Sequence, residues 1–215
     1  METNELIRNL ANQATPVRRL PSLSRRFGAW VILSLFAITL LIGMKGIQTP
    51  ILERTGTPEF WVETFTLLCL FLFSTYAAFV LSVPGEEKSR LWRWMAFGGL
   101  LVWIGSLILR YGEFSTGNLL EAFNSLALKC GVSLVIMSIL PSLGLFWMLK
   151  KAAPLDHKWS GMFTLLSSAA LAALILHLRC LEFHAGHLLV GHVIPPLVLA
   201  LVGAFAGRLI FKTSV

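Results

Sequence analysis

Apolar residues in this chain gather into six long runs, at approximately residues 27–44, 60–83, 92–109, 126–149, 161–178 and 185–211. A hydrocarbon layer roughly 30 Å thick takes about 20 apolar residues of helix to cross, with a range of about 17–25. Each run is long enough. The breaks between them are rich in proline, glycine or charge: Gln48-Thr49-Pro50, Pro84-Gly85-Glu86-Glu87-Lys88, Arg110-Tyr111-Gly112-Glu113, Lys150-Lys151 and Arg179. Lipid cannot satisfy the backbone of an open sheet, and the short alternating segments of a membrane barrel are absent. The pattern therefore predicts an all-α, polytopic membrane protein, a six-transmembrane-helix bundle over residues 27–215 behind a short N-terminal arm, residues 1–26.

Within the arm, Leu6, Ile7, Leu10, Ala11 and Ala14 recur at helical spacing, with Thr3 as N-cap. Pro16 should end that helix, leaving residues 17–26 as a basic tether. Leu119, Leu120, Phe123 and Leu126 suggest a short interfacial helix before the fourth run. Residues 28–46 and 98–105 hold scattered small residues without a G-x-x-x-G, and no internal repeat is evident.

Composition agrees with the pattern. Of 215 residues 56% are hydrophobic and 13% charged, where a soluble domain carries about 25% charged residues. The net charge of +7 and pI near 9.8 raise the question of nucleic acid, but the basic residues sit between the apolar runs. With the N-terminus inside, thirteen fall on inner segments (Arg8, Arg18, Arg19, Arg25, Arg26, Lys88, Arg90, Arg93, Lys150, Lys151, Lys158, Arg208, Lys212) and five on outer ones (Lys45, Arg54, Arg110, Lys129, Arg179). The positive-inside rule then puts both termini in the cytoplasm, and direct nucleic-acid binding is not expected. Trp61, Trp92, Trp94, Trp147 and Trp159 lie near run ends, as an aromatic belt would. The 26-residue polar start is long for a signal peptide and no small-x-small site follows the first run, so that run reads as an uncleaved span.

Candidate chemistry concentrates in Arg179-Cys180-Leu181-Glu182-Phe183-His184-Ala185-Gly186-His187, with His192 and Pro195-Pro196 just beyond. Cys130 lies 25 positions before Leu155 and Cys180 lies 25 after it, Leu155 being the centre of an inner turn. Two antiparallel helices of equal rise bring such residues to one depth. Packed axes lie about 8–10 Å apart and a disulfide needs Cα atoms about 4.4–6.8 Å apart, so the two can be bridged only if both face the contact. They are either a sensing pair or two small residues at helix ends. Cys69, mid-run, reads as a small buried apolar residue.

His177, Cys180, His184 and His187 are spaced three, four and three apart, one face of a helix if the segment stays helical. Thiolate with imidazole suits Zn, Cu or Cd. The alternative is histidines hydrogen-bonding at head-group depth. His192 within the sixth run calls for a partner among neighbouring helices, and Pro195-Pro196 should kink that helix as a hinge or as a packing device. Glu63 and Lys129 near run ends read as side chains snorkelling to the interface. The arm, with five arginines against Glu2 and Glu5, suits capture of a cytoplasmic partner or anchorage on anionic lipid. No Walker loop, H-E-x-x-H or G-x-S-x-G is present, so no enzyme is expected, and no cofactor beyond a transient heavy-metal ion.

The combined layout resembles the NrsF family of bacterial anti-sigma factors. The matching pieces are Leu6-Ile7-Arg8 through Pro16-Val17-Arg18-Arg19-Leu20, Tyr76-Ala77-Ala78-Phe79, Ser82-Val83-Pro84-Gly85, Cys130-Gly131, Ala153-Pro154-Leu155, Cys180 and the His192…Pro195 step. The resemblance implies an inner-membrane protein whose arm, through Leu6, Ile7, Arg8, Leu10, Arg18 and Arg19, holds an extracytoplasmic-function sigma factor away from RNA polymerase. It implies that Cys130 and Cys180 sense heavy-metal or oxidative stress, leaving His177, His184, His187 and His192 as support or metal ligands. Members often carry Trp before the histidine of the sixth span, where this chain has Gly191. The rival reading is a membrane thiol oxidoreductase or metal transporter using the same cysteines and histidines. Against it stand the lack of vicinal redox thiols and the scarcity of polar residues at mid-span. No sequence feature sets an oligomeric state.

Overall fold

The computed structural model describes residues 3–13, 20–45, 54–83, 89–110, 125–152, 154–180 and 185–212, and among these the regular structure is all helical. Helix α1 spans Thr3–Gln13. Five long helices follow: α2 Leu23–Lys45, α3 Pro58–Val80, α4 Ser89–Arg110, α5 Ser125–Lys150 and α6 His157–His177. The last span is composite, with α7 Ala185–Leu188, a π-helical turn Leu189–Val193 and α8 Ile194–Lys212. Six helices are long and apolar enough to cross a membrane, one for each apolar run. The expected interfacial helix, over residues 111–127, lies outside the described residues up to 124, and its last apolar residue, Leu126, belongs to α5. Helix α1 takes in Thr3 as its first residue instead of using it as a cap.

The helices outrun the apolar runs because their polar ends find partners. Helix α2 begins at Leu23 and includes Arg26, which is buried. The Arg26 guanidinium lies 5.0 Å from the centre of the Phe79 ring. Its Nη2 donates to the Met148 carbonyl at 3.1 Å, one of the last four carbonyls of α5 that lack a helical partner. Helix α6 begins at His157 because Asp156 caps it, accepting from the Trp159 N–H at 3.4 Å. Arg93 of α4 pairs with the same carboxylate at 2.9 Å and lies over Trp159. Trp61, Trp94 and Trp147 are exposed near helix ends, as the belt requires, whereas Trp30 and Trp103 are buried in the bundle.

Helix α6 is the axis of the bundle. Across its most apolar 18 residues it is 94% buried, against 22% for α2 and 17% for α4. It packs most extensively on α8, then on α3 and α5, with α4 outside α3. The reason is its small residues: Gly161, Ser167, Ser168, Ala169, Ala170, Ala172 and Ala173 let neighbouring backbones come close. The closest approach is to Gly203 and Gly207 of α8, a G-x-x-x-G that lies outside residues 28–46 and 98–105. A Cβ on Gly161 would meet the Gly203 carbonyl and would lie 2.6 Å from the Gly207 Cα. At mid-bundle Thr75 of α3 and Ser167 of α6 share a hydrogen bond of 2.5 Å. Thr164 and Ser168 return theirs to the carbonyls of Ser160 and Thr164.

Gly161→Ala is expected to lower the stability of the purified protein by about 1–3 kcal/mol, the usual range for overpacking. Gly28→Ala is the control, because nothing lies within 4 Å of a Cβ built there. Thermal unfolding in detergent followed by helical circular dichroism reads both, and equal midpoints would refute the packing role of Gly161.

A cysteine and histidine cluster where the last three spans meet

Helix α6 stops at His177, with Leu178 as its C-cap. The chain then leaves the helix, and the Cys180 N–H closes back on the Leu176 carbonyl at 2.7 Å. This turns the buried Cys180 thiol toward the start of α5, where Cys130 is half-buried. The equal-depth arithmetic from the turn at Leu155 is met: the two thiols lie together and neither is in a disulfide.

The cluster's other two members come from the last span. One ligand atom each from Cys130, Cys180, His187 and His192 lie within 4.8 Å of one another. His187 Nε2 is 3.2 Å from Cys180 Sγ, and the rings of His187 and His192 are 5.6 Å apart. On a regular α-helix, residues five apart point about 140° away from each other. Between these two histidines the backbone is π-helical, and the Ile194 N–H reaches back five residues to the Leu189 carbonyl. That widened turn puts His192 on the side of His187. Pro195 and Pro196 follow at once and have no N–H to close α-helical bonds on Gly191 and His192. The proline pair thus does more than kink the span, since it favours the register that turns His192 inward.

Glycine sets how closely this turn meets α5. A Cβ on Gly191 would lie 3.1 Å from the Ala127 carbonyl and 3.3 Å from the Cys130 Cβ. One on Gly131 would lie 3.3 Å from Pro195 and 3.6 Å from the Val190 carbonyl. The Cys130-Gly131 and Gly191-His192 pairs therefore pack face to face. A side chain at position 191 would press on α5 at Ala127 and Cys130.

Several expectations need correcting. The 3-4-3 helical face does not form, because α6 ends at His177, before Cys180. His184 lies outside the described residues. His177 is not among the cluster's members: its Nδ1 lies 3.1 Å from Glu63 Oε2, and its ring stacks on Phe60 at 5.0 Å. Snorkelling describes Lys129, which is exposed, but not Glu63. The Glu63 carboxylate is buried between α3 and α6, with Arg54 Nη2 at 3.7 Å from the same oxygen as His177. A buried acid within a span should have partners of this kind. The clue in the sequence was antiparallel depth, since Glu63 opens the second span as His177 closes the fifth.

The arm residues are far less constrained. Ile7 and Arg8 are exposed on α1, with Ile7 at 59%, and Leu6 and Leu10 belong to the same helix. Arg18 and Arg19 lie outside the described residues.

No curated protein and no solved structure matches this chain. The sequence model of the NrsF family, whose description is negative regulator of sigma F, matches residues 10–212, and the chain belongs to that family.

Proposed function

We propose that the protein is an inner-membrane anti-sigma factor. Its arm sequesters an extracytoplasmic-function sigma factor in the cytoplasm, and it releases that factor when Cys130 and Cys180 react with metal or oxidant on the periplasmic side. Family membership supplies the negative regulation of a sigma factor. The observation that carries the rest is the meeting of two cysteine thiols from separate spans, not joined in a disulfide, at the far end of α5 from the arm-bearing helix. Cys130 and Met148 are 18 residues apart on α5, a rise of about 27 Å, and Met148 is where Arg26 docks.

The orientation rests on the thirteen-to-five distribution of basic residues, which puts the arm inside and the cysteines outside. There the compartment is oxidising. Oxidation joins the two sulfurs, releases two protons and passes two electrons to the oxidant. Metal binding replaces the thiol protons. Either event can act only by stabilising one arrangement of the spans over another. Ile7 supports partner capture, being a large apolar side chain left exposed on α1. Regulation is favoured over transport or thiol catalysis because the mid-bundle hydroxyls of Thr75, Ser167, Thr164 and Ser168 are engaged with one another or with carbonyls.

The full-length protein is expected to co-purify with its sigma factor, and Leu6→Asp with Ile7→Asp to cut recovery more than about tenfold, a loss of roughly 1.4 kcal/mol. Full recovery by that variant would refute arm-mediated capture. In cells, Cys130→Ser with Cys180→Ser should keep the sigma-dependent reporter silent through cadmium or peroxide challenge. A reporter still induced to the wild-type level would exclude the cysteine pair as sensor.

A further inference from the structure

We propose that Cys130, Cys180, His187 and His192 form a closed four-ligand site for a divalent, thiophilic cation of the zinc and cadmium class. This deepens the sensing reading above, on which it rests, by promoting the two histidines to ligands and naming the ion.

Geometry comes first. Tetrahedral zinc takes sulfur at about 2.3 Å and imidazole nitrogen at about 2.0–2.1 Å, so ligand atoms lie roughly 3.3–3.8 Å apart. The four atoms here already lie within 4.8 Å, and a contraction of about 1 Å completes the tetrahedron. No backbone need move far, because Gly131 and Gly191 already hold the supporting segments in contact.

Polar bookkeeping points the same way. His192 is 4% exposed, and its Nε2 has no hydrogen-bond partner among the described residues. An orphaned buried polar atom loses its hydration without a replacement partner. The π-turn that brings this ring inward is a rare backbone form often found at functional sites. Core packing alone would be better served by an apolar side chain in a regular helix, whereas a cation supplies the missing partner.

Charge selects the ion. Binding follows the balance M²⁺ plus two thiols to a bis-thiolate complex plus two protons, with both histidines neutral. The complex carries no net charge, which is the least costly state for a buried site at membrane depth. A monovalent ion with the same ligands would leave one negative charge, and a trivalent ion one positive. Two sulfurs with two imidazoles select zinc-like ions over magnesium or calcium. Four protein ligands leave no open position, so the site suits sensing rather than catalysis. The half-buried Cys130 is the entry point.

The test uses full-length protein in detergent with Cys69→Ser, which removes the only other thiol. Cobalt(II) is the optical probe and cadmium the competitor. The expected result is one cobalt per chain, intense visible bands of tetrahedral cobalt, thiolate charge transfer from two sulfurs, and two protons released per ion. His187→Ala and His192→Ala should each weaken cadmium binding more than about 100-fold, beyond what losing a ligand's hydrogen-bond partner costs. Sigma-factor co-purification by each variant confirms that it is folded. The cobalt spectrum of the unmutated histidine pair tests the site without relying on either variant. A weak octahedral spectrum, or histidine variants that bind cadmium as the parent does, overturns the four-ligand site. In the second case thiolate-only binding leaves cysteine sensing intact. A reporter indifferent to the double cysteine exchange would instead remove the sensing reading while the cobalt titration stood.

Discussion

Helices that face lipid gain nothing from burying apolar surface against one another, so the bundle depends on how closely its backbones approach. Here that constraint is concentrated where Gly161 meets Gly203 and Gly207, an approach with no room for a single Cβ. It fixes the depth and rotation of α8 on α6. Because α8 continues the π-turn, it also fixes where His187 and His192 stand relative to Cys180, which follows the other end of α6. A contact at one end of the bundle thus sets a four-residue constellation at the opposite end.

The constellation shows how irregular backbone brings together groups that regular helices would separate. Cys180 can face α5 because α6 has ended three residues earlier, at His177. His192 is free to face His187 because the helix widens for one turn. Lipid tolerates such departures only where protein covers them, and Val190, Gly191, His192 and Val193 are all buried. The nearby Glu63 and His177 pair obeys the same rule, with Arg54 and Phe60 enclosing it.

Spans are legible in a sequence because twenty apolar residues in a row have few other uses, and all six were. The meeting of Cys130 and Cys180 was legible too, through equal helical rise on either side of Leu155. The four-residue cluster was not. Spacing of three and four assumes one continuous helix, which tied His177 to Cys180 and left His192 aside. In fact a helix end intervenes after His177, and a π-turn intervenes before His192. Neither break has a clear one-dimensional signature: Pro195-Pro196 announces a disturbance without saying which way the preceding turn will rotate. Helix ends were misjudged for a different reason. Apolar runs stop at the first charge, whereas Arg26 and Asp156 are taken into the helical ends by the partners they find across the bundle.

If the cysteine pair is the sensor, the structure constrains which part can move. Helix α6 is enclosed on all sides and clamped to α8, so Cys180 hangs from a fixed support. Helix α5 is buried along only 33% of its span and carries Pro141 in its interior, which removes one backbone bond between its two ends. Drawing Cys130 toward Cys180 and the histidines therefore displaces α5 more readily than α6. The far end of α5 is where the Met148 carbonyl holds Arg26 and where Gly144 receives Trp30 at 3.0 Å from its would-be Cβ. Both partners belong to α2, the helix that continues directly from the arm. A shift of α5 is thus passed to α2 through Arg26 and Trp30, and α2 is the span with the fewest other attachments. That division between a fixed axis and a loosely held outer pair is what a signal crossing the bundle requires, because packed cores resist continuous deformation.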